Sequence, residues 1–340
     1  MSVKLRKINE QVMVITGATS GIGLSTARMA AREGARLVLA ARADDALDEL
    51  ASELKRAHGT EVITVTADVG KIDDVERIGA AAIERFGRID TWVNNAGISI
   101  YGRLEDVSPE DHHRLFQTNF WGVVNGSLEA VKRMKQRGGG ALINVGSELS
   151  DHGIPLQGMY AASKHAVKGF TDSLRLELEK EEAPMSVTLV KPSGIDTMFA
   201  VHAKNYMDKE PKLPSPVYAP ELVADAILYA AQYPKRDVFV GGAAKMNSSG
   251  SRMMPRAFDK FVKATMFANQ KQERSTDPGR RDALYKPDHT RELRERQGIY
   301  KTHERSPYTA ASMRSGPVTT ALLGGGALLA AFALSRRLAR

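Results

Sequence analysis

The amino-acid sequence predicts an α/β fold, a doubly wound parallel sheet of seven strands with helices on both faces. Three observations carry that expectation. For about 240 residues, short β-branched runs alternate with longer Ala-, Leu-, Glu- and Arg-rich segments. The runs are apolar on both faces, which suits strands covered from above and below. A glycine-rich turn joins the first run directly to the first helical segment.

Strands are expected at VMVIT (12–16), RLVLA (36–40), EVITVTAD (61–68), DTWVNN (90–95), ALINVGS (141–147), SVTLVKP (186–192) and DVFV (237–240). Helices are expected over 22–33, 44–57, 71–86, 110–136, 159–182 and 219–233. Together they define one domain over residues 1–245. Beyond 245 the alternation stops. FDKFVKATMFANQ (258–270) reads as one more helix, but the rest of 246–316 is polar, charged and punctuated by Pro and Gly. That composition predicts a basic, partly disordered linker. The final segment, 317–340, contains 17 uncharged residues at 318–334. As a helix these reach about 26 Å against a hydrocarbon core of ~30 Å. A membrane anchor, spanning or docked, is expected there, the alternative being a helix packed on protein.

Charge follows the same division. Residues 246–340 carry 18 basic and 8 acidic side chains, whereas 1–245 carry 30 and 32. The formal +8 of the chain therefore belongs to its tail and suits an anionic membrane surface better than nucleic acid, for which no module is present. Cysteine is absent, which removes disulfides and thiolate metal sites and fits a reducing compartment. The eight histidines are scattered, and no metal site is expected. The apolar run at 12–15 is too short for a signal-peptide core, so the cytoplasmic side of a membrane is the expected location.

The turn TGATSGIG contains Thr16, Gly17, Thr19, Ser20, Gly21, Ile22 and Gly23. A chain that turns sharply, approaches a pyrophosphate and then starts a helix packed on its own strand has no room for Cβ atoms at three points. The helix N-terminus offers free N–H groups to the phosphates. The spacing lacks the lysine of a kinase or ATPase loop, so a dinucleotide is expected. Strand two ends in LAARADD, with Ala41 where an acid would bond the ribose of NAD and Arg42 next to it. Arg42 can clamp a 2′-phosphate, which favours NADP(H) over NAD(H). Asp44 and Asp45 keep NAD(H) as the alternative.

In MYAASKHAVKGF (159–170), Tyr160 and Lys164 stand one helical turn apart and share a face. On these residues alone a surface Tyr–Lys pair is an equal reading. Ser147, at the end of strand five, taken alone reads as a cap or turn residue. Substrate choice is assigned to the loops at 149–159 and 198–214, where Met159, Met198, Phe199, Val201 and Tyr206 either line an apolar pocket for a lipophilic small molecule or serve as packing.

Taken together, residues 10–242 resemble the short-chain dehydrogenase/reductase family, whose fold is of Rossmann type. TGATSGIG resembles its cofactor turn, Asp68-Val69 its adenine contact, and NNAG (94–97) the motif that steadies the sheet, with Asn95, Ala96 and Gly97 at the cofactor. Asn119, Ser147, Tyr160 and Lys164 match its catalytic tetrad, in which Asn119 joins a proton relay and Lys164 also bonds the nicotinamide ribose. KPSGIDT (191–197) matches the stretch that holds the nicotinamide through Pro192, Gly194, Ile195 and Thr197, with Ser193 a small departure. The resemblance implies an NAD(P)-dependent oxidoreductase acting on a carbonyl or alcohol, with Tyr160 as general acid/base, Lys164 lowering a phenol pKa otherwise near 10, and Ser147 donating to the substrate oxygen. It also implies a homo-oligomer built on helices 110–136 and 159–182. The alternative from another class is a nucleotide-binding sensor or scaffold that performs no chemistry.

Overall fold

The computed structural model describes residues 3–314. Seven strands form the central sheet: β1 (Val12–Thr16), β2 (Arg36–Ala41), β3 (Val62–Thr66), β4 (Thr91–Asn94), β5 (Gly140–Val145), β6 (Met185–Pro192) and β7 (Asp237–Val240). All pairings are parallel and the order is β7-β6-β5-β4-β1-β2-β3. Each strand sends alternate side chains to opposite faces, and both faces are apolar. Val12, Val14, Trp92 and Leu142 face helices α3 (Ile72–Phe86), α5 (Gly122–Met134) and α6 (Gly158–Lys180). Met13, Ile15, Leu37 and Ile143 face α1 (Gly21–Arg32), α2 (Asp44–His58) and α7 (Pro220–Ala230). Burial on both faces is why these runs lack the polar alternation of a half-exposed strand.

The chain winds outward from β1 to β3 and then returns to β4 on the other side of β1. A cleft opens at the carboxyl ends of β1 and β4, where the connections diverge. Buried amides hold this point. Asn94 donates to Asn144 Oδ1 (2.9 Å) and Ser127 Oγ (3.1 Å) and accepts from Trp92 Nε1 (2.8 Å). Asn144 in turn donates to Thr171 on α6 (2.9 Å). The steadying role expected of NNAG therefore has a visible basis, a satisfied polar network joining two strands to two helices.

Helix α4 (Pro109–Phe116) starts with Pro109 and is capped by Ser108, whose hydroxyl accepts from Asp111 N (3.2 Å). The single helix expected over 110–136 is interrupted by a π turn, Gln117–Trp121, between α4 and α5. Asn119 lies in that turn.

After β7 the chain does not become a linker. Helix α8 (Gly242–Met253) begins at once, α9 (Pro255–Asn269) follows, and Lys271–Ser275 pairs antiparallel with Lys209–Pro211. The chain then returns across the domain. Thr302–His303 joins Val217–Tyr218, and a last helix, α10 (Pro307–Arg314), lies beside β7 with Thr309 Oγ1 accepting from Gly241 N (2.9 Å). The linker expectation fails because the polar groups of this segment are spent on the domain instead of on water. Arg280 pairs with Glu210 (3.1 Å) and donates to Ala200 O (2.8 Å). Glu295 pairs with Arg28 (2.9 Å), and Asp196 accepts from the backbones of Gln297 and Gly298. The boundary expected at 245 falls inside α8. The anchor expected at 318–334 lies outside the described residues, among which no helix is long and apolar enough to cross a membrane.

Candidate active site

The glycine turn leaves β1 with Gly17 at φ +65° and Gly21 at φ +54°, both left-handed conformations that a side chain would strain. Gly23 is the tightest point. A Cβ there would lie 2.0 Å from Gly17 O and 2.6 Å from Asn95 Nδ2. Asn95 fixes the turn from the neighbouring strand end by donating to Thr16 O (2.9 Å) and Gly17 O (3.1 Å). Thr16 Oγ1 accepts from the backbone N–H groups of Asn95 (3.0 Å) and Ala96 (3.2 Å). Thus β1 and β4 end in one interlocked knot at the mouth of the cleft.

A cavity of about 360 Å³ runs from this knot to Tyr160. Every predicted catalytic and cofactor residue lines it except Thr16, Gly23 and Asn119. Thr16 and Gly23 stand behind the wall, in the tie and the close approach just described. Asn119 is fully buried in the π turn, where it bridges Ile98 and α6: its Oδ1 accepts from Ile98 N, and its Nδ2 donates to Ile98 O and Ser163 Oγ. It is not in the cavity, and its side chain braces the turn carrying Gly97.

Tyr160 and Lys164 lie on the buried face of α6, with Lys164 Nζ 5.7 Å from the phenol ring centre and donating to Val145 O (2.8 Å). The Tyr160 ring packs edge-on against Phe199 at 5.2 Å. Ser147 follows β5 and does two things. Its hydroxyl accepts from Leu149 N (3.1 Å) to cap the short turn Glu148–Ser150, and it hydrogen-bonds the Tyr160 phenol. The expected lowering of the phenol pKa by Lys164 is not what this geometry gives. Burial pushes Tyr160 well above its ordinary value, the Ser147 hydrogen bond opposing it, and burial lowers Lys164 to about 8. Desolvation acts on both groups and exceeds their mutual attraction across this gap.

Arg42 also departs from expectation. Its guanidinium lines the cleft but donates to the carbonyls of Ala283 and Leu284, on the returning extension. Arg114 donates to the same Leu284 carbonyl (3.0 Å) and pairs with Asp68 (2.7 Å), so the carboxylate expected to contact adenine already has a cationic partner. Burial first, and then the charge of Arg114, hold the Arg42 pKa below its ordinary value. Asp44 and Asp45 do not line the cavity, and Asp45 is taken by His289 (2.8 Å).

Residues 283–294 thus form a strap along the end of the cavity that holds the glycine turn. Leu284 is fully buried in the cluster that contains Leu115 and Tyr160. Leu293 N donates to Thr19 O (2.8 Å), Gly21 N donates to Arg294 O (3.0 Å), and Glu292 lines the cavity with a hydrogen bond to Thr19. Burial raises the pKa of Glu292. No sequence signal marks the strap. Near Ser147, Glu148, His152 and Asn247 also line the cavity without a motif that points to them. Ser193 and Asn247 both donate to Glu148, at 3.1 and 2.8 Å, tying the loop after β6 and α8 to the turn that follows Ser147.

A family profile described as short chain dehydrogenase matches residues 11–207. The chain is 48% identical over 339 residues to the uncharacterized oxidoreductase YxnA of Bacillus subtilis (strain 168), covering 98% of this chain and 93% of that protein. Among solved structures it is similar to an alcohol dehydrogenase from the archaeon Thermococcus sibiricus complexed with 5-hydroxy-NADP. That likeness has a TM-score of 0.59 and 30% identity, over 67% of this chain and 95% of that one. It is similar also to the L-sorbose reductase of Gluconobacter frateurii complexed with NADPH and L-sorbose, with a TM-score of 0.60 and 26% identity, over 71% and 97%.

Proposed function

Since the chain belongs to the short-chain dehydrogenase family, in which it is an NAD(P)-dependent oxidoreductase, we propose that it uses NADP(H) to interconvert a carbonyl and an alcohol, with Tyr160 as general acid/base. The observation that carries this reading is the single cavity that joins the glycine turn to Ser147, Tyr160 and Lys164. The residues fit a dinucleotide. The turn has no space for a Cβ at Gly23, and a helix N-terminus opens onto the cleft. The two solved neighbours hold NADP-type cofactors.

The cofactor, when bound, supplies the hydride that converts a carbonyl carbon into a carbinol carbon. The chain's own groups handle the oxygen. As negative charge builds there, Ser147 donates a hydrogen bond and Tyr160 gives up its proton. A phenol whose pKa burial has raised is protonated at neutral pH, the form a reductase requires. Lys164, positioned by Val145 O, stabilises the phenolate left behind when it carries its own proton. With Lys164 at about 8, the sign of the pH dependence follows. The ammonium is present below pH ~8 and lost above it, so kcat/KM for reduction is expected to fall as pH rises through about 8. A pH–rate profile checks this, and a reduction rate that climbs across pH 7–9 would contradict the role assigned to Lys164.

Arg42 supports the preference for NADP(H), because it lines the cavity and its hydrogen-bond partners are the carbonyls of Ala283 and Leu284, not a carboxylate. Titration of the full chain with NADPH and NADH, followed by nicotinamide fluorescence, is expected to show at least a tenfold preference for NADPH, about 1.4 kcal/mol. Arg42→Ala should remove that preference by weakening NADPH alone. Leu284→Ala, which loosens the strap but keeps the guanidinium, should weaken both dinucleotides alike. Preference for NADH would overturn the assignment to Arg42, and binding of a dinucleotide without turnover of any carbonyl would favour a sensor. We also read the half-exposed Trp121, Leu128 and Leu176 on the faces around α5 and α6 as supporting a homo-oligomer.

A further inference from the structure

We propose that the substrate is a carbonyl or alcohol borne on an extended apolar body, and that the α8–α9 hairpin is the wall that binds that body. The inference rests on the reading that Tyr160 performs carbonyl chemistry, because it concerns the far end of the same cavity. Past Tyr160 and Ser147 the cavity continues between Met198 and Phe199 of the domain and Met246, Phe258, Phe261 and Met266 of the hairpin.

Helix α9 supplies the main support. Phe258, Phe261, Val262 and Met266 recur at helical spacing and form one apolar stripe. Such a stripe is ordinarily covered by a core, yet of the fifteen residues of α9 only Val262 is buried, and Phe261 is 53% exposed. All four stripe residues line the cavity. The stripe therefore faces the space beyond the catalytic tyrosine, and what covers it is what fills that space.

The hairpin is held in place by polar contacts to the loop that follows Ser147. Asn247 donates to Glu148 (2.8 Å), Ser248 to Asp151 (2.6 Å), and Gln270 to Pro155 O (2.8 Å), while Phe258 lies edge-on to His152 at 4.9 Å. These ties fix the wall relative to the reacting oxygen. They also consume the polar groups nearby, leaving His152 Nε2 as a buried lining-residue atom without a hydrogen-bond partner among the described residues. A polyol needs a partner for each buried hydroxyl, which is more than His152 Nε2 alone supplies. An alkyl or fused-ring body needs apolar surface, which it has.

The full chain with NADPH tests this with straight-chain aldehydes from butanal to decanal and a ketohexose. In parallel, calorimetry of 1-butanol and 1-decanol on the wild type and on Tyr160→Phe reads binding without chemistry. kcat/KM should rise about fourfold per methylene over part of the series, and decanol should bind at least about a hundredfold tighter than butanol in both proteins. Phe261→Asp should flatten both trends, whereas Phe267→Asp, an exposed position on the same helix that does not line the cavity, should preserve them. Equal binding of the two alcohols, or preference for the ketohexose, overturns the proposal. Tight decanol binding with no aldehyde reduced keeps the apolar wall and removes the hydride-transfer reading instead. If Phe261→Asp changes only the mass seen by light scattering, the stripe is a contact between copies and the proposal fails.

Discussion

Tyr160→Phe is expected to lower carbonyl reduction about a thousandfold while leaving dinucleotide affinity and melting temperature close to those of the parent. The substitution removes one oxygen and keeps the ring, so the edge-on packing against Phe199 at 5.2 Å is retained. What disappears is the phenolic O–H, the proposed proton donor, and its hydrogen bond with Ser147. A lost hydrogen bond of this kind costs stability about 1 kcal/mol, whereas a lost proton donor leaves the developing alkoxide without its acid. The two readouts therefore separate. If Tyr160→Phe retains a tenth or more of the parent rate, the proton comes from elsewhere and Tyr160 is not the general acid. If rate and melting temperature fall together, Tyr160 is primarily a core residue.

The second large effect is structural in origin. Gly23→Ala is expected to lose about 3 kcal/mol of stability or more and to weaken dinucleotide binding by at least tenfold. The added carbon would sit 2.0 Å from Gly17 O, a distance no relaxation of a flexible side chain can relieve, because the obstacle is backbone. Either α1 slides along β1 or the turn opens. Both movements pull Gly17 away from Asn95, which bonds the Thr16 and Gly17 carbonyls. Thermal melting and NADPH titration of the variant measure the two consequences. A variant that binds NADPH as tightly as the parent would show that the close packing of α1 on β1 is not what shapes the phosphate cradle.

Much of this architecture is legible in the sequence because the residues involved answer to local rules. Strands buried on both faces announce themselves as unbroken apolar runs, and all seven fall within a few residues of their expected places. The turn at 16–23 is equally explicit, since glycines at 17, 21 and 23 have steric reasons that do not depend on the rest of the chain. The extension is not legible in the same way. Its charges resemble those of a solvated linker, and only three-dimensional partners such as Glu210 for Arg280 or Asp196 for the Gln297 backbone make them structural. Arg42 escapes a sequence reading for the same reason: its acceptors, the carbonyls of Ala283 and Leu284, lie 241 and 242 residues away. The direction of the Tyr160 pKa is hidden because a sequence shows which charge is one turn away but not how thoroughly both groups are desolvated. The stripe on α9 is visible as a periodic pattern, but nothing in the pattern distinguishes a face turned to a core from one turned to a cavity.

The strap carries a consequence for biosynthesis. The nucleotide site draws one wall from residues near 20 and another from residues near 290, so it cannot exist on a ribosome until most of the chain has emerged. The last strand of the central sheet ends at Val240, before the strap begins. Until Leu284 arrives, Arg42 and Arg114 lack the carbonyl they share and the apolar cluster lacks that side chain. A loop of this length is closed at an entropic cost that grows only slowly with size, and a dinucleotide that selects the closed arrangement adds its own binding energy to the final step. A bound NAD(P) cofactor would then stabilise the completed chain as well as take part in its turnover.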